Sequence, residues 1–183
     1  MSSTNLHYET EELFRGIGEV VVQFQQVEHW VADVLASLLQ LKHEADTHRV
    51  TAAMSYGQKV DLMCDLYPER CNERWPIVNI KVTRNALKAA EEFRNAVVHS
   101  FWYVGGTETE WMRTKANLRS KSQLKVSTGS ANIGALKEGA DCLRVVKDWY
   151  LGESEKVVVA TGRLKILTQE LGNAQDKKHH PGL

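Results

Sequence analysis

Between Leu13 and Leu38 an apolar residue returns every three or four positions: Leu13, Ile17, Val20, Phe24, Val27, Val31, Val34 and Leu38. That spacing places them along one face of an α-helix. A helix with so long an apolar face must bury it against other elements, and this first helix should end near Leu41. Gly16 and Gly18 each cost about 1 kcal/mol relative to alanine inside a helix, and the regular part is expected to begin after them.

The segment KHEADTHR reads as a loop, and a second, shorter helix is expected through YGQKVDLMCDLY to Pro68. A third is expected from about Trp75 to His99, with Pro76 acceptable in its first turn. After His99 the pattern becomes SFWYVGGTETEWMRT. Aromatic and β-favouring residues on either side of Gly105 and Gly106 predict a β-hairpin over residues 101 to 116, since glycines supply the positive φ of tight turns. SQLKVST is a candidate third strand. Helical spacing returns in ALKEGADCLRVVKDWYL and again in VVVATGRLKILTQEL after a break at Gly152. The expectation is an all-α fold of four to five helices with a small β-hairpin after the third. With 183 residues and 43% hydrophobic content, one domain over residues 1–172 is expected, followed by a disordered tail at 173–183.

Lysine plus arginine number 23, as do aspartate plus glutamate, so no global basic field marks a nucleic-acid binder. A site for RNA would have to be a local patch or be assembled between subunits. Cys64, Cys71 and Cys142 are an odd set without CxxC spacing, which favours neither a disulfide framework nor a thiolate zinc site. The first residues carry no basic segment leading into an apolar run, and no stretch has the length of a membrane span. Reduced thiols and no membrane partner together point to the cytoplasm.

His43, Glu44 and His48 resemble HExxH with one residue too many, so the two imidazoles would not share a helix face. His179 and His180 in the tail read as incidental, and no metal site or cofactor is expected. Gly16-Ile17-Gly18 lacks the third glycine and the preceding strand of a dinucleotide loop, and no P-loop or GxSxG is present.

What remains is EEFRNAVVHS, residues 91 to 100, where Arg94, Asn95 and His99 gather at the end of an apolar-periodic helix. On an ideal helix five residues advance about 500°, leaving Arg94 and His99 about 140° apart, while Asn95 and His99 lie within about 40°. One helix cannot aim Arg94 and His99 at one point, but two copies meeting across a two-fold axis can.

RNAVVH resembles the Arg-x4-6-His signature of the HEPN superfamily, in which the residue after the arginine is frequently Asn, Asp or His. EEFRNAVVHSFW is similar to the family's motif segment, and QFQQVEHWVADVLASLL to its first core helix, with Glu28 embedded among apolar positions. The resemblance extends over about residues 10 to 170, and its specificity rests mainly on the one motif. It implies an up-down helical bundle, a homodimer joined through the motif helices, and metal-independent RNA cleavage of the toxin or antiviral-defence kind. An antitoxin or another defence-system protein would then be a partner. Carried over by position, Arg94 and His99 match the catalytic pair, Asn95 the supporting polar residue, and Glu28 a further supporting position. Family toxins controlled by a nucleotidyltransferase commonly read His-x-Tyr, whereas Ser100 and Phe101 follow His99 here. That departure weighs against control by adenylylation of such a tyrosine, although Tyr103 lies nearby.

The chemistry suits the residues. RNA carries its own nucleophile in the 2′-hydroxyl, so catalysis needs proton transfer and charge stabilisation alone. An imidazole serves as acid or base near neutral pH, a guanidinium grips two phosphate oxygens at once, and Asn95 is placed to orient His99 or bind a phosphate oxygen. The products would be a 2′,3′-cyclic phosphate and a 5′-hydroxyl. The alternative is a non-catalytic helical dimer acting as an interaction or regulatory subunit, in which Arg94 pairs with Glu91 or Glu28 and His99 merely caps its helix.

Overall fold

The computed structural model describes residues 3–70, 77, 79–105, 110–117, 125–148 and 154–172. Among them lie α1 (Ser3–Leu38), α2 (Glu44–Ala52), α3 (Tyr56–Arg70), α4 (Ile80–Val98), α5 (Ile133–Lys147) and α6 (Ser154–Gly172), with strands β1 (Phe101–Gly105), β2 (Glu110–Asn117) and β3 (Lys125–Ser130) between α4 and α5. The protein is mostly helical, with one small antiparallel sheet.

Helix α1 forms as its apolar period demands. Leu13, Val20, Phe24, Val27, Val31, Val34 and Leu38 are all buried in the core, and Ile17 packs against it. Gly16 does not interrupt the helix. A Cβ there would stand 3.0 Å from Cβ of Leu136, so the glycine lets α5 approach α1 closely, and tertiary packing overrides the local propensity. The helix stops where Gln40 turns left-handed at φ 56°. The Leu41 amide then bonds Ala36 O at 3.0 Å and the Gln40 amide bonds Ser37 O at 3.1 Å, which is a Schellman closure.

The expected loop at KHEADTHR is instead the start of α2. Its acidic first turn, Glu44 and Asp46, and basic last turn, Arg49, complement the helix dipole and support a helix with little apolar surface. Helix α3 opens on a reciprocal cap: the Ser55 amide donates to Gln58 Oε1 at 2.8 Å and the Gln58 amide to Ser55 Oγ at 3.3 Å. The helix expected from Trp75 begins at Ile80, because Asn79 caps it by accepting from the Lys81 and Val82 amides. Pro76, the proposed break at Gly152 and the tail lie outside the described residues.

Helices α1, α5, α6 and α4 pack in succession around one core, α4 also touches α5, and α3 lies against α1 and α4. At the α4 to α5 contact Phe93 lies directly over Gly139, where any side chain would overlap the ring. No helix among the described residues is long and apolar enough to cross a membrane.

The expected hairpin is β1 with β2, and β3 extends it to three strands in the order β1-β2-β3. Register pairs Trp102 with Arg113 and Val104 with Trp111 on one face, and Phe101 with Thr114 and Tyr103 with Met112 on the other. The first face meets the helices. Trp111 donates from Nε1 to Thr10 Oγ1 at 3.0 Å and meets the Phe14 ring edge-on, which docks the sheet on the first half of α1.

Candidate active site

Helix α4 buries Thr83, Ala86, Leu87, Ala89, Ala90, Phe93, Ala96 and Val97, which leaves Lys81, Asn85, Lys88, Glu92 and His99 exposed. Its last turn has carbonyls with no partner inside the helix, as every helix end does. Here the sheet and the turn supply them. The His99 amide donates to Asn95 O, and Lys115 Nζ reaches the same oxygen at 3.4 Å. Ala96 O accepts from Ser100 Oγ at 2.6 Å and from Arg113 Nη2 at 2.9 Å, and Val97 O accepts from Trp102 Nε1 at 3.2 Å. The backbone on which His99 sits is therefore fixed from both sides.

Arg113 is the centre of this arrangement. It is only 2% exposed, donates from Nε to Ser100 Oγ at 2.8 Å, and sends Nη1 to the carbonyl of Leu171 at the end of α6. Two helix C-termini, each with partial negative charge, thus converge on one cation. Burial lowers the Arg113 pKa to about 10, while the oxygens it donates to favour the charged form.

Arg94 reaches toward α1, its guanidinium carbon 4.4 Å above the centre of the Phe24 ring. Phe24 is itself held against Tyr56 of α3, whose hydroxyl donates to Leu87 O at 3.2 Å. Burial drives the Tyr56 phenol well above its usual range, with the nearby carboxylates of Glu91 and Glu28 adding to the effect. The Glu91 carboxyl is also raised by burial, opposed by the positive charge of Arg94. Glu28 accepts a 2.8 Å ion pair from the buried Lys59.

Arg94, Asn95 and His99 therefore sit on the closing turns of α4, as expected, but within one chain they serve different surroundings. Arg94 and Asn95 are half-buried and His99 is exposed. No hydrogen bond joins the Asn95 side chain to His99 among the described residues, and Glu28 is committed to Lys59 rather than to Arg94. Val97 is buried in the core, so of the two valines between Arg94 and His99 only Val98, 42% exposed, faces outward. In the sequence Phe24 reads only as core and Arg113 and Lys115 go unassigned, whereas Glu91 reads as a candidate partner of Arg94. The signal for Arg113 was its alternation with Trp111 on β2, which places a charge on the inward face of the strand.

His43 is the residue before α2, and His48 makes a 3.5 Å contact with Glu44 on an exposed face. Among the described residues no group of His, Cys, Asp and Glu is clustered to hold a metal ion. Cys64 is buried, and burial pushes its thiol up.

The helical bundle with its three-stranded sheet defines the class of architecture. No family model, curated protein or solved structure gave a match to the chain.

Proposed function

We propose that the chain is a metal-independent endoribonuclease of HEPN type, acting as a homodimer in which the α4 ends of two copies form one site. The observation that carries this reading is the uncommitted state of the pair. Among the described residues Arg94 donates no hydrogen bond and makes no ion pair within 4 Å, resting over the Phe24 ring with the Glu91 carboxyl near enough to feel its charge, and the His99 side chain is exposed. A guanidinium with open donors and an exposed imidazole on the closing turns of one helix suit an anionic ligand shared between two copies better than a structural cap, which would have consumed both. Glu28, through its pair with Lys59, supports the α1 to α3 contact beside Phe24.

In the proposed reaction the imidazole of His99 removes the proton of a 2′-hydroxyl, and the 2′-oxygen attacks the neighbouring phosphorus. The bond from phosphorus to the 5′-oxygen breaks, and the leaving oxygen takes a proton from the second copy's imidazole. Arg94 holds the non-bridging oxygens as charge builds on them. A toxin–antitoxin or antiviral-defence setting, with a protein that restrains or triggers the activity, fits such a nuclease.

The non-catalytic reading keeps one observation in its favour: Arg94 lies among Phe24, Tyr56 and Glu91, turned toward α1. Incubating purified protein with RNA in EDTA decides between them. Cleavage leaving 2′,3′-cyclic phosphate and 5′-hydroxyl ends, lost in His99→Ala, is the expected result. No cleavage by wild type, or equal cleavage by the variant, would favour the interaction subunit.

A further inference from the structure

We propose that the outer face of the β-sheet is a base-stacking platform, on which Phe101 and Tyr103 hold an unpaired nucleobase of an RNA strand whose adjoining phosphate lies at His99.

The two faces of the sheet have different fates. Trp102, Trp111, Arg113 and Lys115 alternate onto the face whose side chains bond α1 and the ends of α4 and α6. Phe101 and Tyr103 alternate onto the opposite face. There their rings stack on each other, centroids 5.7 Å apart and planes 23° apart. Phe101 is nevertheless 69% exposed, so this stack is not a core contact that happens to reach the surface. Register continues the face into two cross-strand rows, Phe101 with Thr114 and Thr128, and Tyr103 with Met112 and Ser130. The Thr114 and Thr128 hydroxyls bond each other at 3.0 Å. A ring pair bordered by hydroxyls offers a nucleobase a π surface for its face and hydrogen-bonding groups for its edge.

Position identifies the ligand. Phe101 follows His99 by two residues, and two residues of chain span at most about 7 Å. A strand with a phosphate at the imidazole therefore has its neighbouring base within reach of the ring. The base must be unpaired, because a duplex keeps its base faces inside its own stack. The identity of the ligand as RNA rests on the ribonuclease reading above.

The test is fluorescence anisotropy with a labelled 2′-O-methyl oligonucleotide, which lacks the free hydroxyl needed for cleavage, single-stranded and annealed to its complement. Phe101→Ala should raise the single-strand Kd roughly 5- to 150-fold, the range of one lost base stack. Phe101→Leu should lose nearly as much, Phe101→Tyr should bind like wild type, and duplex affinity should not depend on residue 101. All variants should keep the wild-type mass in light scattering. Unchanged affinity in Phe101→Ala overturns the platform, as does wild-type affinity in Phe101→Leu, an equal loss for duplex, or no binding by wild type. A change of mass in the Ala and Leu variants assigns the face to contact between copies instead. Cleavage of unmodified RNA is measured alongside. Phe101-dependent binding without cleavage overturns the ribonuclease reading and leaves the platform, and cleavage with indifferent binding does the reverse.

Discussion

Arg113 of β2 donates to the carbonyl oxygen of Ala96 at 2.9 Å, and by its other Nη nitrogen to Leu171, so one buried cation closes the ends of both α4 and α6. The sheet is thereby the clamp that holds the turn carrying His99.

Removing that clamp should be expensive. Arg113→Met keeps much of the volume but leaves the Leu171 carbonyl and part of the hydrogen bonding at Ala96 unmet. Buried acceptors without donors cost about 1–3 kcal/mol each, so a loss of about 2–4 kcal/mol is expected from urea denaturation. Arg113→Lys should fall between, since an ammonium does not reproduce three divergent donors from a planar fork. A methionine variant as stable as wild type would contradict the clamp.

Gly139 supplies a second stability test. Its Cα lies under the Phe93 ring where a methyl has no room. Gly139→Ala gains about 1 kcal/mol of helix propensity, yet overpacking a tight core contact costs about 1–3 kcal/mol, and the net effect should be destabilising. Gly18→Ala is the control, because a Cβ there meets nothing within 4 Å and only the propensity gain remains. If both substitutions stabilise, the close packing of α4 on α5 is not as described.

The sequence carried α1 and the site helix because both depend on one repeating quantity, the period of apolar residues, and the buried set of α1 reproduces that period. It did not carry α2, whose helix depends on charge at its two ends rather than on apolar spacing. The start of α4 was misplaced because a local cap, Asn79, decided it rather than Pro76. Gly16 looked like a break because propensity is local, whereas the space it opens for Leu136 is a property of two helices together. For the same reason Arg94, Asn95 and His99 were found as a motif, while Phe24 and Arg113, which come to it from α1 and β2, were not.

Glu91 gives a pH dependence with a definite sign. Burial raises its folded pKa above 4.5, with Glu28 and Glu92 adding to the rise while Arg94 and Lys88 oppose it. A carboxyl raised on folding binds protons more tightly in the native state, so its contribution to stability falls as pH rises from the unfolded pKa through the folded one. Glu91→Gln should remove that contribution, becoming relatively more stable than wild type at pH 8 than at pH 4. Urea midpoints for both proteins at the two pH values provide the check, and parallel pH profiles would remove Glu91 as the cause.

The reaction itself gives the last prediction, which joins charge, geometry and chemistry at the end of α4. His99 is exposed and its side chain makes no hydrogen bond or ion pair among the described residues, so His99→Ala should leave the fold, the melting temperature and the oligomeric mass unchanged while abolishing cleavage. Arg94→Lys keeps a positive charge that can still rest over the Phe24 ring, so stability should again be nearly untouched. Catalysis should nevertheless fall by roughly 10² to 10³, the usual effect of losing one well-placed transition-state contact, because an ammonium cannot grip two phosphate oxygens in one plane. EDTA should alter neither wild type nor variants. Mixing wild-type with His99→Ala chains separates a shared site from two independent ones: if one copy's imidazole is the base and the other's the acid, a mixed dimer lacks one of the two and should cleave as poorly as His99→Ala, whereas independent sites would leave it half active. Full activity in either single variant, or loss of wild-type cleavage on chelation, would leave the mechanism without support.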